Sequence, residues 1–355
     1  MSSGWSRFLR RPDLLVKDLG GLALYYPGQA LISRVPRPVL GHTARVGGDL
    51  VRLAARRDQV LARTELRKLF GDRPLPHAEQ DILREAWRQT MFNELEVLRY
   101  PHLDPSTVGQ VCVVEGREHL DDALARGKGA IILIGHFGAN QMIMPALGHA
   151  GYPMSQLSAP PPVWADILRE SRTTPLWERV LERRWELEQK LPVQHINVFR
   201  FLRPALKCLQ DNQVLGLAFD GGGGRRWTQV QLLGRRANVA VQPAQLARKT
   251  GAAILPTLVV REPGERRHRV IVTPALDVPR TRDRDADLKG TMQAFVDVFS
   301  EWVTRHPAHY LNFLVLRWKV RGTDVVPFFD DYPPAPGQLS PEQAQAHLQW
   351  AGEKV

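Results

Sequence analysis

The sequence has only two cysteines in 355 residues, Cys112 and Cys208, and they lie far apart outside any C-x-x-C motif. This excludes a disulfide framework and a cysteine-based zinc site. No four-ligand metal pattern occurs elsewhere in the chain. Both cysteines lie in apolar stretches, so we expect them to be reduced core residues of a cytosolic protein.

A long uninterrupted apolar run is also missing. The N-terminal segment MSSGWSRFLRRPDLLVKDLGGLALYYPGQAL is broken by Lys17, Asp18, two glycines and Pro27. It falls short of the roughly 18 apolar residues that a membrane-spanning helix needs, and it lacks the cleavage pattern of a signal peptide. Two interpretations stay open: a surface segment whose aromatic and basic residues lie on a membrane, or an ordinary packing helix.

Low-complexity stretches and internal repeats are absent, and 43% of the residues are hydrophobic, which indicates a folded protein. Acidic residues are outnumbered, with 37 Asp and Glu against 48 Lys and Arg, giving a net charge of +11. This balance favours an acidic-lipid membrane surface, a phosphorylated substrate, an acidic carrier protein or nucleic acid. Nucleic acid is disfavoured because no basic motif with interleaved aromatics and no zinc spacing accompanies the charge.

The order of elements predicts the fold. Two amphipathic helices are expected over 40–70 and 76–100, and from residue 111 short apolar strands alternate with helices. Such alternation indicates an α/β domain with a mainly parallel sheet. We therefore predict an N-terminal helical extension over 1–105, an α/β domain over 106–325 and a C-terminal tail over 326–355.

The stretch IILIGHFGANQM, residues 131–142, ends a predicted buried strand on His136. Reactive groups of open α/β sheets gather at the carboxyl ends of strands. A neutral imidazole there can take a proton from a hydroxyl or amine. Gly135 and Gly138 allow a tight turn and close approach of a ligand. A structural histidine with satisfied hydrogen bonds is the alternative interpretation.

A second strand runs into glycines at AFDGGGGRRW, residues 218–227. Glycines 222–224 can expose backbone N–H groups, and Arg225 and Arg226 are suited to binding phosphate. The stretch is not a P-loop motif, so nucleotide binding of that kind is not expected. A second pair, Arg235 and Arg236, follows, and the two pairs together favour a basic cleft that binds anions. The alternative is a flexible basic loop.

Together these stretches resemble the lysophospholipid acyltransferase superfamily, whose signature is H-x-x-x-x-D or H-x-x-x-x-E. GHFGANQ resembles its H-F-G-N-W-E block. The segments LGLAFDGGGGRR and VQLLGRRANVAVQPAQLARKTGAAILPTLVVRE resemble later blocks of the lipid A biosynthesis branch, the lauroyl/myristoyl acyltransferases. HPAHYLNFLVLRW resembles the P-x-x-W-x-W segment near the end of that domain. The order and spacing of the blocks, over about residues 20–320, carry the resemblance.

The resemblance implies a glycerol-3-phosphate/lysophospholipid acyltransferase-like fold and an acyltransferase without metal or redox cofactor. The donor would be a thioester of acyl carrier protein or CoA, and the acceptor a hydroxyl or amine of a lipid or glycolipid. A cytoplasmic, peripheral location at the anionic inner face of the cell membrane would follow. His136 would be the base, and Gln141 occupies the position of its acidic partner. The expected substrate-binding residues are Gly138, Asp220, Gly222, Gly223, Gly224, Arg225, Arg226 and Arg235.

Gln141 departs from the family pattern because its amide can accept a hydrogen bond from the imidazole but brings no negative charge. Three outcomes remain open. Gln141 orients His136 in a slower enzyme, another acid such as Asp220 supplies the charge, or acyl transfer is lost and the fold binds lipid or a partner protein. If the missing charge limits a working site, Gln141→Glu is expected to raise the rate.

Overall fold

The structure is a computed structural model that describes residues 12–160, 174–198, 203–222, 224, 226–264, 267–323, 326–335, 338 and 343. The first part of the chain is helical up to Val97, and strands begin at Cys112. The sequence also predicts a basic helical region over 163–190, which lies partly outside these ranges, and its described part is helical from Pro175 to Glu188.

The helices are α1 Pro12–Ala23, α2 Gln29–Ile32, α3 Arg37–Ala54, α4 Arg56–Phe70, α5 Glu79–Val97, α6 Arg117–Ala125, α7 Ile143–His149, α8 Pro175–Glu188, α9 Arg203–Gln210, α10 Gln242–Thr250, α11 Arg284–Arg305 and α12 Ala308–Lys319. A π-helical turn, Leu24–Gly28, joins α1 to α2. No helix within the described ranges combines the length and apolar composition needed to cross a membrane.

The strands are β1 Cys112–Glu115, β2 Ala130–Ile134, β3 Met154–Ser158, β4 Gln194–Asn197, β5 Val214–Ala218, β6 Trp227–Leu232, β7 Arg235–Ala240, β8 Ala253–Val260 and β9 His268–Val272. Seven of them form one sheet in the order β1-β9-β8-β2-β5-β3-β4. Its pairs are parallel except β8 with β9, while β6 and β7 form a separate antiparallel hairpin. The predicted α/β class with a mainly parallel sheet is confirmed.

Two hydrophobic cores cover the two faces of the sheet. Side chains of β2 alternate between them, with Ile131 and Leu133 in one core and Ile132 and Ile134 in the other. Every residue of β2 is buried, which is why the strand is apolar at successive positions. The cysteines are free and buried, as expected, and burial raises the pKa of Cys112 to about 12.

The N-terminal helices and the start of the expected tail pack into these same cores. Helices α4 and α5 contribute to the core that contains Leu133, and α3 contributes Leu40 and Ala44 to the other. Three tail aromatics, Phe328, Phe329 and Tyr332, are buried against the hairpin and α12. The sheet therefore has its layers completed by residues from both ends of the chain.

Candidate active site

The register of two neighbouring strands brings His136 and Asp220 together. Strands β2 and β5 are parallel, and Ile134 pairs with Ala218 at their carboxyl ends. Each candidate lies two residues beyond the last paired residue of its strand, and between them the backbone N–H of Phe219 donates to the carbonyl of Ile134 at 2.9 Å. The register therefore starts the two following segments side by side.

Asp220 makes two hydrogen-bonded contacts with His136. Its Oδ1 lies 2.6 Å from His136 Nδ1, and its Oδ2 accepts from the His136 backbone N–H at 2.9 Å. The Asp220 side chain is fully buried, whereas that of His136 is 38% exposed. A carboxylate at Nδ1 favours the tautomer with the proton on that nitrogen. The lone pair of Nε2 is then available to a substrate.

Helix α12 supports the pair with two aromatic residues one turn apart. The hydroxyl of Tyr310 donates to Asp220 Oδ2 at 3.0 Å, and the ring of Phe313 stacks on His136 at 4.3 Å and 4°. Burial, reinforced by Asp220, holds the pKa of Tyr310 well above its usual value, so the hydroxyl remains a donor. Sequence reasoning missed both residues, although their spacing of three in HYLNF places them on one helix face.

Gly138 fixes the backbone after the histidine. Its φ is +59°, and a Cβ there would lie 2.1 Å from the carbonyl oxygen of Val259, so a larger residue is excluded. Its N–H donates to the carbonyl of His309 at 2.9 Å, and its carbonyl accepts from Asn93 Nδ2 at 2.8 Å. Gly138 therefore serves backbone geometry.

His309 is a buried neutral histidine behind this loop. Burial, with the positive charges of His306 and Arg261, lowers the pKa of His309 to about 3. Its Nε2 accepts the backbone N–H of Arg261 at 3.2 Å, a bond that only the unprotonated nitrogen can accept. His309 thus joins the end of β8 to α12 and to the loop at Gly138 that follows His136.

The structure does not bring Gln141 to the His136 ring. Gln141 lies in the short 3₁₀ turn Asn140–Met142, and its side-chain oxygen accepts from Arg184 Nη2 at 2.9 Å. Its side-chain nitrogen lies 3.4 Å from Glu188 Oε1. Within the described residues the imidazole takes Asp220 as its carboxylate partner, the second of the outcomes that the sequence left open.

The glycine loop begins at the imidazole. A Cβ on Gly221 would lie 3.9 Å from His136 Cε1, and Gly222 has φ +75°. Gly224 is described, whereas Gly223 and Arg225 lie outside the described residues. Arg226 forms an exposed ion pair with Asp285 at 3.0 Å.

Arg235, expected to bind substrate, lies instead within the protein interior. Its guanidinium donates to Glu65 at 2.8 Å and to Asp331 at 2.7 Å and lies 3.6 Å from the ring centre of Phe329. Burial disfavours the charged form, but these carboxylates outweigh it and raise the pKa of Arg235. The guanidinium is committed to structural partners.

An imidazole whose Nδ1 is held by a buried carboxylate can act through its Nε2 as a general base toward a hydroxyl or amine. Among the described residues, no group of three His, Cys, Asp or Glu side chains is arranged to hold a metal ion. The contact between His136 and Asp220 is suited to taking a proton from a hydroxyl or amine.

Known proteins of related sequence are acyltransferases. The chain is 27% identical over 243 residues to a phosphatidylinositol mannoside acyltransferase of Mycobacterium tuberculosis. These 243 residues cover 67% of this chain and 68% of the relative. The protein of the same name from Mycolicibacterium smegmatis is 26% identical over 302 residues, covering 83% and 89%.

Among solved structures, the chain is similar to that of the 1-acyl-sn-glycerophosphate (LPA) acyltransferase PlsC from Thermotoga maritima. The TM-score is 0.31 at 14% identity, over 63% of this chain and 87% of that chain. Residues 10–320 match the family described as bacterial lipid A biosynthesis acyltransferase. The match spans most of the chain, so this protein belongs to the bacterial lipid A biosynthesis acyltransferase family and is a lipid acyltransferase.

Proposed function

We propose that the protein transfers a fatty acyl group from a thioester of acyl carrier protein or CoA to a sugar hydroxyl of a glycolipid acceptor. The His136–Asp220 contact of 2.6 Å, with the His136 side chain 38% exposed, carries this proposal. The mycobacterial relatives are named for a phosphatidylinositol mannoside, which makes a glycosylated phospholipid the first acceptor to test.

His136 would act as base and then as acid. Its Nε2 takes the proton of the acceptor hydroxyl, and the oxygen attacks the thioester carbonyl. The tetrahedral intermediate collapses as the C–S bond breaks, and the imidazolium returns the proton to the departing sulfur. Asp220 keeps the proton on Nδ1 throughout and stabilises the transient cation. No redox or metal step is needed for this balance.

We propose that Arg226, which follows the glycine loop that begins beside His136, meets an anionic group of donor or acceptor. Its partner, the side chain of Asp285, is 76% exposed, and exposed ion pairs contribute about 0–1 kcal/mol. A substrate phosphate can therefore displace Asp285 at small cost. Gly222 and Gly224 would give this phosphate room next to the imidazole.

The test is acceptor-dependent acyl transfer by the purified full chain. Palmitoyl-CoA and palmitoyl carrier protein are each supplied with phosphatidylinositol mannoside in mixed micelles, and released thiol and acylated lipid are both quantified. Turnover by the wild type and background release by His136→Ala are expected. Equal thiol release by the two proteins, or none with either donor, would refute the proposed chemistry.

We further propose that α3 rests on an anionic membrane surface. Its inner face, with Leu40 and Ala44, is buried against α5, while its opposite face exposes Val39, Val46, Leu50 and Leu53 at 47–62%. These four positions are seven, four and three residues apart, which places them on one side of the helix. The exposed Arg45 and Arg56 supply the complementary charge.

Leu50→Asp combined with Leu53→Asp is expected to reduce binding to phosphatidylglycerol-containing vesicles at least about tenfold, because burial of each leucine contributes roughly 1.5–3 kcal/mol. Cosedimentation measures the bound fraction. Leu316→Asp is the matched control, since Leu316 is 44% exposed on α12. A double variant that binds as well as the control would contradict this docking face.

A further inference from the structure

Gln141 belongs to a compact cluster of charged side chains at the turn Asn140–Met142, which follows His136. Arg184 lies at its centre and contacts three side chains: Nη1 bonds Glu188, Nη2 bonds Gln141 at 2.9 Å, and Nε lies 3.4 Å from Glu94. Glu188 is four residues after Arg184 on α8, and its side chain is 9% exposed. The cluster therefore joins α5, α8 and the turn that follows His136.

Electrostatics in this cluster favour an amide at position 141. Burial disfavours the cation, but Glu94 and Glu188 outweigh it and raise the pKa of Arg184 well above its usual value. Burial, with added repulsion from Glu94, raises the pKa of Glu188 even though Arg184 opposes it. One arginine thus already balances two carboxylates, so a third acid would meet net negative charge.

The orientation of the amide uses both of its functions. The oxygen of Gln141 faces the guanidinium, and its nitrogen faces Glu188 Oε1 at 3.4 Å. A glutamate at the same place would set a carboxylate oxygen against Glu188 at that separation. Two carboxylates so close share a proton at low pH and repel each other once both are ionised at higher pH. Gln141 is therefore matched to an acid that another helix supplies.

We propose that Glu188, acting through Arg184 and the Gln141 amide, takes over a positioning role of the acid that the family motif places five residues after the histidine, while Asp220 supplies the charge at the imidazole. The positioning charge then lies on α8, and its role is to hold the segment that follows His136. Glu188, Arg184 and Gln141 are positioning residues, because the His136 ring donates its own hydrogen bond to Asp220. The inference rests on the proposed function of His136 as base.

The expected effect of Gln141→Glu is now opposite to the rise in rate that the motif alone indicated. Gln141→Glu is expected to lower kcat about tenfold at pH 8, because the new carboxylate repels Glu188. The loss should shrink at pH 6, where the pair holds its shared proton. Glu188→Gln should also lower kcat about tenfold, whereas the combined Gln141→Glu and Glu188→Gln protein, with the original charge count, should return to within about threefold of the wild type.

The experiment compares these four proteins with Glu182→Gln, the same change at an exposed position of α8, which should leave kcat unchanged. The free energy of unfolding by urea is measured for all five. An increase of kcat in Gln141→Glu at pH 8, or a combined variant no better than the single ones, would overturn the charge exchange. If His136→Ala is fully active, the base assignment fails instead, and the non-additivity of the unfolding free energies still tests the exchange.

Discussion

Asp220→Asn is expected to lower kcat about 10³–10⁴-fold with little change in KM, by the tautomer argument that holds for a carboxylate beneath a catalytic histidine. Asp220 accepts from His136 Nδ1, from the His136 backbone and from Tyr310. An asparagine amide must turn its NH₂ toward one of these donors. If it faces Nδ1, the proton moves to Nε2 and the base is lost.

Two further variants test whether a loss of kcat is specific to the Asp220 carboxylate. Tyr310→Phe removes one donor to Asp220 but leaves the tautomer, so we expect kcat to fall only about fivefold. Asp211→Asn makes the same carboxylate-to-amide change at an exposed ion pair with Lys207 and should have no effect. A fall of less than about tenfold in Asp220→Asn, with normal thermal unfolding, would show that His136 does not depend on this carboxylate.

Arg235→Ala is expected to lower the free energy of unfolding by about 3–5 kcal/mol, because it leaves a buried acid without its counter-ion. Glu65 is 1% exposed, and its Oε2 accepts from Arg235 and from the Tyr332 hydroxyl. Loss of the guanidinium also removes its stacking on Phe329. Urea unfolding monitored by tryptophan fluorescence measures the change.

The adjacent Arg236 provides a matched control for this prediction. Its side chain is 64% exposed and lies 3.3 Å from Asp330, so Arg236→Ala should change the free energy of unfolding by less than about 1 kcal/mol. At a urea concentration where both variants are folded, KM should match the wild type. A normal free energy of unfolding with a raised KM in Arg235→Ala would restore the substrate-binding role expected from the sequence.

The central strands could be predicted because burial on both faces leaves an unambiguous apolar run, as at Ala130–Ile134. The turn of the β6–β7 hairpin was visible in the sequence, but its two strands were not predicted, because the turn is formed by Leu233 and Gly234, with φ of +52° and +83°. Such turns are usually signalled by Asn-Gly or Asp-Gly. Similarly, the predicted helix over 40–70 is two helices that meet at Ala55, where no proline or glycine marks the break.

The candidate site was predictable where it depends on local pattern and not where it depends on distant contact. His136 and Asp220 each follow a buried strand and precede glycines, and this signal is visible in the sequence. The contact of Phe313 with the imidazole and the partners of Gln141 arise from helices α12 and α8. Their packing is decided by the whole core, so residue spacing alone did not reveal it.

The register between β2 and β5 has an evolutionary consequence. Because the paired ends of β2 and β5 bring His136 and Asp220 together before the chain enters the glycine loop at Gly221, that loop can vary in length and composition without moving the pair. On the proposed function, acceptor preference can change in this loop while the proposed base is retained. Exchange of residues 222–226 between members of the family is then expected to alter lipid specificity.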